Sequence, residues 1–131
     1  MNLGAKRILC VEDDEDACTL LKIILSGLQV VTANTIAEAL TLARHEHFDL
    51  YLLDSFLPDG TGINLCQLIR QFDQKTPLLF CSADAYPTSQ EKALQAGAQV
   101  YLIKPVEPSM LREVVLRLLQ ASDSAGVLQT S

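Results

Sequence analysis

The strongest constraint on the fold is a fivefold alternation between short apolar runs and segments with helical periodicity. Each run is bounded by turn or cap residues and lacks the polar alternation of a half-exposed strand. Such runs are typical of strands that are covered on both faces. The five predicted strands are Arg7–Val11, Leu28–Ala33, Leu50–Leu53, Pro77–Cys81 and Gln99–Ile103.

The segments between and after these runs carry signals of amphipathic helices. Their apolar residues recur at helical spacing, which places them on one face. The boundaries are marked by the capping boxes Thr35–Glu38 and Thr88–Glu91, the stops Ser26-Gly27 and Gly97, and the first-turn proline Pro108. The predicted apolar faces consist of Leu20, Leu21, Ile24, Leu25, Leu40, Ala43, Ile63, Cys66, Ile69, Phe72, Leu111, Val114, Val115 and Leu118.

Five successive strand–helix units predict a parallel sheet with helices on both faces. Right-handed crossovers leave few topologies, and a common one is the doubly wound order 2-1-3-4-5 of flavodoxin-like folds. We predict this five-stranded α/β architecture for one domain over residues 1–121, with a flexible tail over 122–131. In such sheets, ligands bind at the carboxyl ends of the strands, where the strand order reverses between the first and third strands.

Composition narrows the classes of function. The net charge of −6 argues against direct nucleic-acid binding, which needs clustered basic residues. After Lys6-Arg7 the apolar stretch runs only from Ile8 to Val11, too short for an export signal or a membrane span. We therefore expect a cytoplasmic protein without a membrane partner. The cysteines lack metal-binding spacing, so we expect reduced, mostly buried thiols at Cys10, Cys18, Cys66 and Cys81.

Four of the predicted strands lead directly into polar residues. The first leads into Glu12-Asp13, the third into Asp54, the fourth into Ser82 and the fifth into Lys104. Carboxylates held ~4 Å apart repel by about 4 kcal/mol at an effective dielectric near 20, which a divalent cation would offset. Because the site is rich in carboxylates and contains neither His nor Cys, it favours Mg²⁺, with Mn²⁺ as the alternative.

Asp54 is the best-placed nucleophile of this group. It directly follows the apolar run Leu50–Leu53, so it should project from a rigid strand end at the centre of the sheet. A carboxylate can attack phosphorus and form an aspartyl phosphate. Lys104 could balance the charge before and after transfer, and Ser82 could donate a hydrogen bond to a phosphoryl oxygen.

Each of these residues also has a simpler structural explanation. Asp54, followed by Pro58-Asp59-Gly60, could belong to an ordinary turn. The acidic pair after the first strand could cap the next helix, although we expect Asp14 or its neighbour to be the cap. The serine could be a turn residue and the lysine a solvated cation. The functional interpretation depends on the combination, in strand order, of all these residues.

Four stretches around the strand ends occur in a characteristic order, namely Ile8–Asp14, Asp49–Gly62, Cys81–Ala83 and Tyr101–Pro105. In this combination the sequence resembles the receiver (CheY-like) family of response regulators, from Arg7 to about Gln120. The resemblance implies that residues 1–121 form a receiver domain, a phosphoprotein module of two-component phosphorelay signal transduction.

The resemblance also implies a role for each residue of the acidic site. Asp13 would contact Mg²⁺ directly and Glu12 mainly through water. Asp54 would be both the phosphoacceptor and a metal ligand, and the backbone carbonyl of Phe56 would be a further ligand. Phe56 and Asp84 occupy positions that tune the lifetime of the phosphoryl group, and our hypothesis is that Phe56 shields this group from water.

A second set of implied roles concerns the conformational switch. Ser82 would be the switch hydroxyl and Lys104 the lysine that pairs with the phosphoryl group. Tyr101 would be the switch aromatic, turning inward when Ser82 moves toward the phosphate. The Lys104–Pro105 peptide bond would be cis.

The implied partners are a histidine kinase or histidine phosphotransfer protein as phosphoryl donor and a protein target. The target would bind the surface formed by the fourth helix, the fifth strand and the fifth helix. On the last helix, Leu116 and Leu119 lie off the main predicted apolar face. They could therefore form a contact with a target or in a homodimer, although isolated exposed leucines are common.

Other classes of function fit the sequence less well. A phosphatase of the haloacid dehalogenase type needs an Asp where Phe56 stands, and Glu12–Asp16 would repel a flavin phosphate. An EF-hand fails because Cys18 and Ile63 fall at the fifth loop position. We expect a phosphoacceptor that catalyses its own phosphorylation and dephosphorylation, not a turnover enzyme. The remaining alternative is a receiver-like protein-binding module that acts without phosphorylation.

Overall fold

The computed structural model describes residues 2–130, except for the side chains of residues 123–130. Five parallel strands form the main sheet in the order 2-1-3-4-5, counted along the chain, which confirms the predicted topology. Outside this sheet, Phe56–Leu57 and Gly60–Thr61 pair as a small antiparallel hairpin. The five strands are β1 (Arg7–Val11), β2 (Gln29–Ala33), β3 (Leu50–Leu53), β4 (Leu78–Ser82) and β5 (Val100–Ile103).

Five α-helices follow the five strands in turn, after a short 3-10 helix at Leu3–Ala5. Because a helix follows each strand, every crossover is of the βαβ type, and the helices cover both faces of the sheet. The helices are α1 (Glu15–Ile24), α2 (Ile36–His45), α3 (Gly62–Arg70), α4 (Pro87–Ala96) and α5 (Pro108–Thr130).

The helix boundaries follow local capping chemistry, with one difference from the prediction. Asp14 caps α1 through Asp16 N–H, and Thr35 caps α2 through Glu38 N–H, both as expected. The predicted capping box at Thr88 is wrong, because α4 already begins at Pro87 and has no side-chain cap. Proline suits this first position, since it has no N–H to satisfy and its φ is already helical. Gly97 ends α4 with a φ of 118°, as predicted.

The core consists of two layers, one on each face of the sheet. On β1, Leu9 and Val11 pack toward α2, α3 and α4, whereas Ile8 and Cys10 pack toward α1 and α5. Burial of each large aliphatic side chain contributes roughly 1.5–3 kcal/mol. The four cysteines are free and buried, as expected from the sequence.

The C-terminal helix corrects one prediction. Leu119 is only 1% exposed and belongs to the core layer that separates the sheet from helices α1 and α5. Leu116 packs against the same layer. The buried residues of α5 recur every four positions at Leu111, Val115 and Leu119, which brings Leu119 to the sheet. Leu119 is therefore not available for a homodimer or target contact.

Helix α5 continues to Thr130. The predicted tail covers residues 122–131. Residue 131 and the side chains of residues 123–130 lie outside the described part of the chain. The domain boundary at residue 121 therefore stays a prediction. Among the residues that the structure describes, no helix is both long enough and apolar enough to cross a membrane.

The strand register brings the carboxyl ends of the strands to one edge. Val11 lies beside Leu53, and Ser82 beside Ile103. Backbone hydrogen bonds continue one residue further, because Asp54 N–H donates to Val11 O at 3.1 Å and Lys104 N–H donates to Ser82 O at 2.8 Å. The residues that follow the strands are thus held by the sheet itself.

Candidate functional site

Three carboxylates meet at the carboxyl edge of the sheet. Glu12 and Asp13 follow β1 and Asp54 follows β3, and one carboxylate oxygen from each lies within 4.8 Å of the other two. Mutual repulsion of these groups is offset when a cation lies between them. The oxygen-only ligand set is the kind that hard divalent cations prefer. The cluster therefore could hold a metal ion.

Lys104 contributes the positive charge of the site. Its Nζ atom donates to Glu12 Oε2 at 3.1 Å and lies 3.9 Å from Asp54 Oδ2. The following Lys104–Pro105 peptide bond is cis, as expected. The ammonium group therefore lies between the buried carboxylate that follows β1 and the carboxylate that follows β3.

The pKa values of this pair are shifted by burial and by each other. Burial raises the pKa of Glu12 above its ordinary value, and this effect outweighs the hydrogen bond from Lys104. Burial alone would lower the pKa of Lys104, but the carboxylates of Glu12 and Asp54 outweigh it and raise that pKa. Lys104 therefore remains a cation.

Glu12 is fixed by contacts that the sequence did not reveal. Its Oε1 atom accepts a hydrogen bond from Asp14 N–H at 3.2 Å. Its backbone oxygen accepts from Asn34 Nδ2 at 2.9 Å, and the Cys18 thiol approaches the same oxygen at 3.4 Å. Asn34 follows β2 and Cys18 lies in α1, so two neighbouring elements hold the acidic end of β1 in place.

Ser82 and Tyr101 are connected through the loop between β4 and α4. The buried Ser82 Oγ accepts from Asp84 N–H at 3.0 Å. Tyr101 OH donates to the carbonyl oxygen of the same Asp84 at 2.7 Å, and its ring stacks on Phe80 with centroids 5.6 Å apart. The tyrosine is thus directed inward, and both predicted switch residues contact one loop residue.

Ser55 and Gly62 belong to the site but received no role in the sequence analysis. Ser55 N–H donates to Asp54 Oδ1 at 2.7 Å, and Gly62 N–H donates to Ser55 O at 2.8 Å. A β-carbon at Gly62 would overlap the backbone oxygen of Asp54. The two nearby glycines after Asp54, Gly60 and Gly62, were the available signal of such a close backbone approach.

Phe56 and Asp84 lie at the rim of the site. The Phe56 side chain is 60% exposed and lines a surface cavity of about 490 Å³ with the loop that follows β4. The Asp84 side chain accepts from Tyr86 N–H at 3.1 Å. Metal binding by the Phe56 carbonyl, the water-mediated role of Glu12 and the effects of Phe56 and Asp84 on phosphoryl lifetime stay predictions.

The fold and the site together define a flavodoxin-like α/β domain of the CheY type, with acidic residues, a serine and a lysine at the strand ends. The sequence matches the response regulator receiver domain family over residues 8–116. The chain therefore belongs to this family, whose members act in phosphorylation-based two-component signal transduction.

Several response regulators are similar to this chain in sequence. The chain is 38% identical to response regulator protein PilR of Pseudomonas aeruginosa and 37% identical to the alkaline phosphatase synthesis transcriptional regulatory protein PhoP of Bacillus subtilis. These matches cover 90% and 92% of this chain but 27% and 51% of the relatives. DNA-binding response regulator MtrA of Mycobacterium tuberculosis is 34% identical over 94% of this chain and 54% of its own length. The chain thus spans between a quarter and about half of these relatives.

A solved structure supports the fold assignment. The CheY-like receiver domain protein of Methanospirillum hungatei superimposes with a TM-score of 0.88 and is 31% identical in sequence. The match covers 92% of this chain and 98% of that chain. The receiver fold therefore accounts for nearly all of the 131 residues.

Proposed function

We propose that the chain receives a phosphoryl group on Asp54 from a histidine kinase or a histidine phosphotransfer protein. The observation that carries this proposal is the surroundings of Asp54. Its carboxylate stands at the end of the central strand β3, beside two further carboxylates and 3.9 Å from the Lys104 ammonium. A nucleophile, a cation site and a fixed positive charge are what phosphoryl transfer to a carboxylate needs.

The proposed cofactor is Mg²⁺, with Mn²⁺ as a substitute. Asp13, Asp54 and the Phe56 carbonyl would bind it directly, and Glu12 would bind it through water. When bound, the ion would neutralise negative charge on the phosphoryl oxygens as the charge redistributes during transfer. The donor set fits this ion because the carboxylates of the cluster converge within 4.8 Å without a nitrogen or sulfur ligand.

The side chains of the protein would perform the remaining steps. An Asp54 carboxylate oxygen would form the new bond to phosphorus while the bond between phosphorus and the donor nitrogen breaks. The Lys104 ammonium, which now contacts Glu12, would pair with a phosphoryl oxygen. Ser82 Oγ accepts its present hydrogen bond from Asp84 N–H, so its own proton would be free for another phosphoryl oxygen.

The proposed output is a change of the surface formed by α4, β5 and α5. Movement of Ser82 toward the phosphoryl group would displace Asp84, and Tyr101 is hydrogen-bonded to the same residue. Phosphorylation would thus bias an equilibrium between two arrangements of this loop. Two exposed apolar side chains on this surface, Leu94 and Ile103, are suited to contact a protein target.

We propose that the protein is a cytoplasmic switch that catalyses its own phosphorylation and is not a turnover enzyme. MtrA is named a DNA-binding response regulator, but this chain spans only 54% of it. With a net charge of −6, the 131 residues are suited to protein partners and poorly suited to DNA. We therefore propose that this domain itself does not bind nucleic acid.

Intact-mass spectrometry with acetyl phosphate and Mg²⁺ tests the phosphoacceptor role. We expect the wild-type protein to gain one phosphoryl group, and to gain none when EDTA removes the metal. Asp54→Asn should remain unmodified. Asp49→Asn is the matched control, because Asp49 precedes β3 at the opposite end of the same strand. Failure of the folded wild-type protein to become phosphorylated would favour a receiver-like binding module that acts without phosphorylation.

A further inference from the structure

Ser55 is a buried polar residue that directly follows the phosphoacceptor candidate. It is 5% exposed, and its hydroxyl lies 3.3 Å from the hydroxyl of Tyr101, which is 46 residues away in the sequence. A buried hydroxyl is retained at little cost only when it has a hydrogen-bond partner. The contact with Tyr101 therefore accounts for a buried serine just after β3.

Proton counting assigns the donor of this hydrogen bond. The phenol of Tyr101 has one proton, and it donates that proton to the Asp84 carbonyl at 2.7 Å. A carbonyl oxygen can only accept. Ser55 Oγ must therefore donate to the Tyr101 oxygen, and the three groups form a chain from Ser55 through Tyr101 to Asp84.

The backbone of Ser55 is held on both sides. Its N–H donates to Asp54 Oδ1 at 2.7 Å, and its carbonyl oxygen accepts from Gly62 N–H at 2.8 Å. The same residue thus contacts the carboxylate of Asp54 and the hydroxyl of Tyr101. A change at Asp54 that moves the Ser55 backbone would also move the donor that faces Tyr101.

We propose that Ser55 is a positioning residue that holds Tyr101 inward and links Asp54 to Tyr101 by a route that bypasses Ser82. The signalling part of this inference rests on the proposed phosphoacceptor role of Asp54. The positioning part does not, because the hydrogen bond is present in the chain without a phosphoryl group. Tyr101 is thereby favoured in the inward orientation before phosphorylation.

NMR of protein with ring-labelled tyrosine tests the positioning role. The chain has three tyrosines, and Tyr101→Phe identifies the resonance of Tyr101. Stacking on Phe80 shifts this resonance through the ring current, whereas Tyr86 is 74% exposed and supplies an internal reference for a solvated ring. In Ser55→Ala we expect the inward-to-outward ratio of Tyr101 to fall by up to about fivefold, the effect of one net hydrogen bond of ordinary length.

Ser55→Thr keeps the donor and should retain the wild-type position of the Tyr101 resonance. Ser109→Ala removes a surface serine hydroxyl and should leave the resonance unchanged. An unchanged Tyr101 resonance in folded Ser55→Ala would overturn the positioning role. Because these spectra are recorded without a phosphoryl analogue, their outcome does not depend on whether Asp54 is a phosphoacceptor.

A double-mutant cycle tests the link to Asp54. Beryllofluoride with Mg²⁺ is the probe, and Ser55→Ala should weaken its binding in the wild-type background by the factor by which the inward population falls, at most about fivefold, because the inward state binds it better. In the Tyr101→Phe background, where the acceptor hydroxyl is missing, Ser55→Ala should have no further effect. Equal effects in the two backgrounds would overturn the link. If wild-type protein fails to bind beryllofluoride but Ser55→Ala shifts the Tyr101 resonance, the phosphoacceptor proposal fails and the positioning role stands.

Discussion

Gly62, the first residue of α3, approaches the backbone carbonyl of Asp54 so closely that a β-carbon at this position would overlap the carbonyl oxygen. The Gly62 N–H also donates to the carbonyl of Ser55 at 2.8 Å. The absence of a side chain therefore allows the start of α3 to hold Asp54 and Ser55, the two residues that follow β3. We therefore expect the position of the Asp54 side chain to depend on this contact.

We expect Gly62→Ala to lower the free energy of unfolding by about 1–3 kcal/mol, the usual cost of inserting a methyl group into a packed position. The variant should also be phosphorylated more slowly by acetyl phosphate, because Asp54 must move. Urea unfolding and intact-mass kinetics measure the two effects. Gly4→Ala is the matched control, since a β-carbon there meets only an ordinary contact at 3.6 Å. Wild-type behaviour of Gly62→Ala in both measurements would contradict the role of this contact.

Lys104 lies where it would compete with a bound metal ion for the same carboxylates. Its Nζ atom lies 3.1 Å from Glu12 Oε2 and 3.9 Å from Asp54 Oδ2, so Lys104→Gln removes a cation from the edge of the cluster. We expect Lys104→Gln to bind Mg²⁺ severalfold more tightly in calorimetric titrations, while phosphorylation slows. Lys75→Gln, at the opposite edge of the sheet, should leave both properties unchanged. Unchanged or weaker Mg²⁺ binding by Lys104→Gln would contradict competition between the lysine and the metal ion.

Phe56 tests the shielding hypothesis. Its exposed ring lies two residues after Asp54 and lines the rim cavity with the β4–α4 loop. We expect Phe56→Asn to lose its phosphoryl group faster than the wild type, because the amide attracts water where the ring excludes it. The decay of the phosphorylated mass after removal of acetyl phosphate measures the lifetime. Phe72→Asn changes an exposed phenylalanine that follows α3 and should not alter the lifetime. An unchanged lifetime in Phe56→Asn would rule out shielding by the ring.

Asp73 should make stability depend on pH. Burial alone would raise its pKa, but hydrogen bonds from Thr76, Tyr51 and Lys75 outweigh this effect and hold the pKa below its usual range. The lowered pKa means that the ionised carboxylate stabilises the folded state above the ordinary pKa of aspartate. This stabilisation is lost as the pH falls through the lower, folded-state pKa.

We therefore expect Asp73→Asn to be less stable than the wild type by about 1 kcal/mol at neutral pH. The difference should begin to shrink as the pH falls below about 4, where the carboxylate of the unfolded chain becomes protonated, and should vanish below the lower, folded-state pKa. Urea midpoints across this range provide the measurement. Tyr51→Phe removes one donor to Asp73 and should reduce the pH dependence. A difference that stays constant with pH would contradict the contribution of the carboxylate charge.

Much of the fold could be predicted because buried parallel strands carry continuous apolar runs. The predicted strands Arg7–Val11 and Leu50–Leu53 agree with the structure at both ends, and the other three agree to within one residue. The predicted strands also indicated which residues lie at the carboxyl edge of the sheet. The convergence of Glu12, Asp54 and Lys104 could therefore be predicted before any distance was known.

The errors have local physical causes. The predicted capping box at Thr88 failed because Pro87 begins α4 and removes the need for a side-chain cap at that N–H. The position of Leu119 was wrong because the buried face of α5 follows a spacing of four from Leu111 through Val115 to Leu119. The predicted face contained Leu111, Val114, Val115 and Leu118 and left Leu119 outside it. In both cases the helix itself was predicted correctly. The errors concern the first residue of α4 and the set of buried residues on α5.

The site residues that the sequence analysis did not identify act through contacts between distant parts of the chain. Asn34 reaches Glu12 across 22 positions, and Ser55 reaches Tyr101 across 46. A serine or an asparagine after a strand is equally typical of a turn. The sequence therefore could not distinguish these two roles without the packing of the strand ends.

Borohydride trapping of the phosphorylated protein, followed by peptide mapping, tests phosphoryl transfer to Asp54 most directly. Borohydride reduces an aspartyl phosphate to homoserine and leaves a free carboxylate unchanged, so it marks the residue that carried the phosphoryl group. After incubation with acetyl phosphate and Mg²⁺, we expect homoserine at position 54 and unmodified aspartate at position 13. Homoserine at another acidic residue, or none in protein that has gained the mass of a phosphoryl group, would contradict Asp54 as the phosphoacceptor.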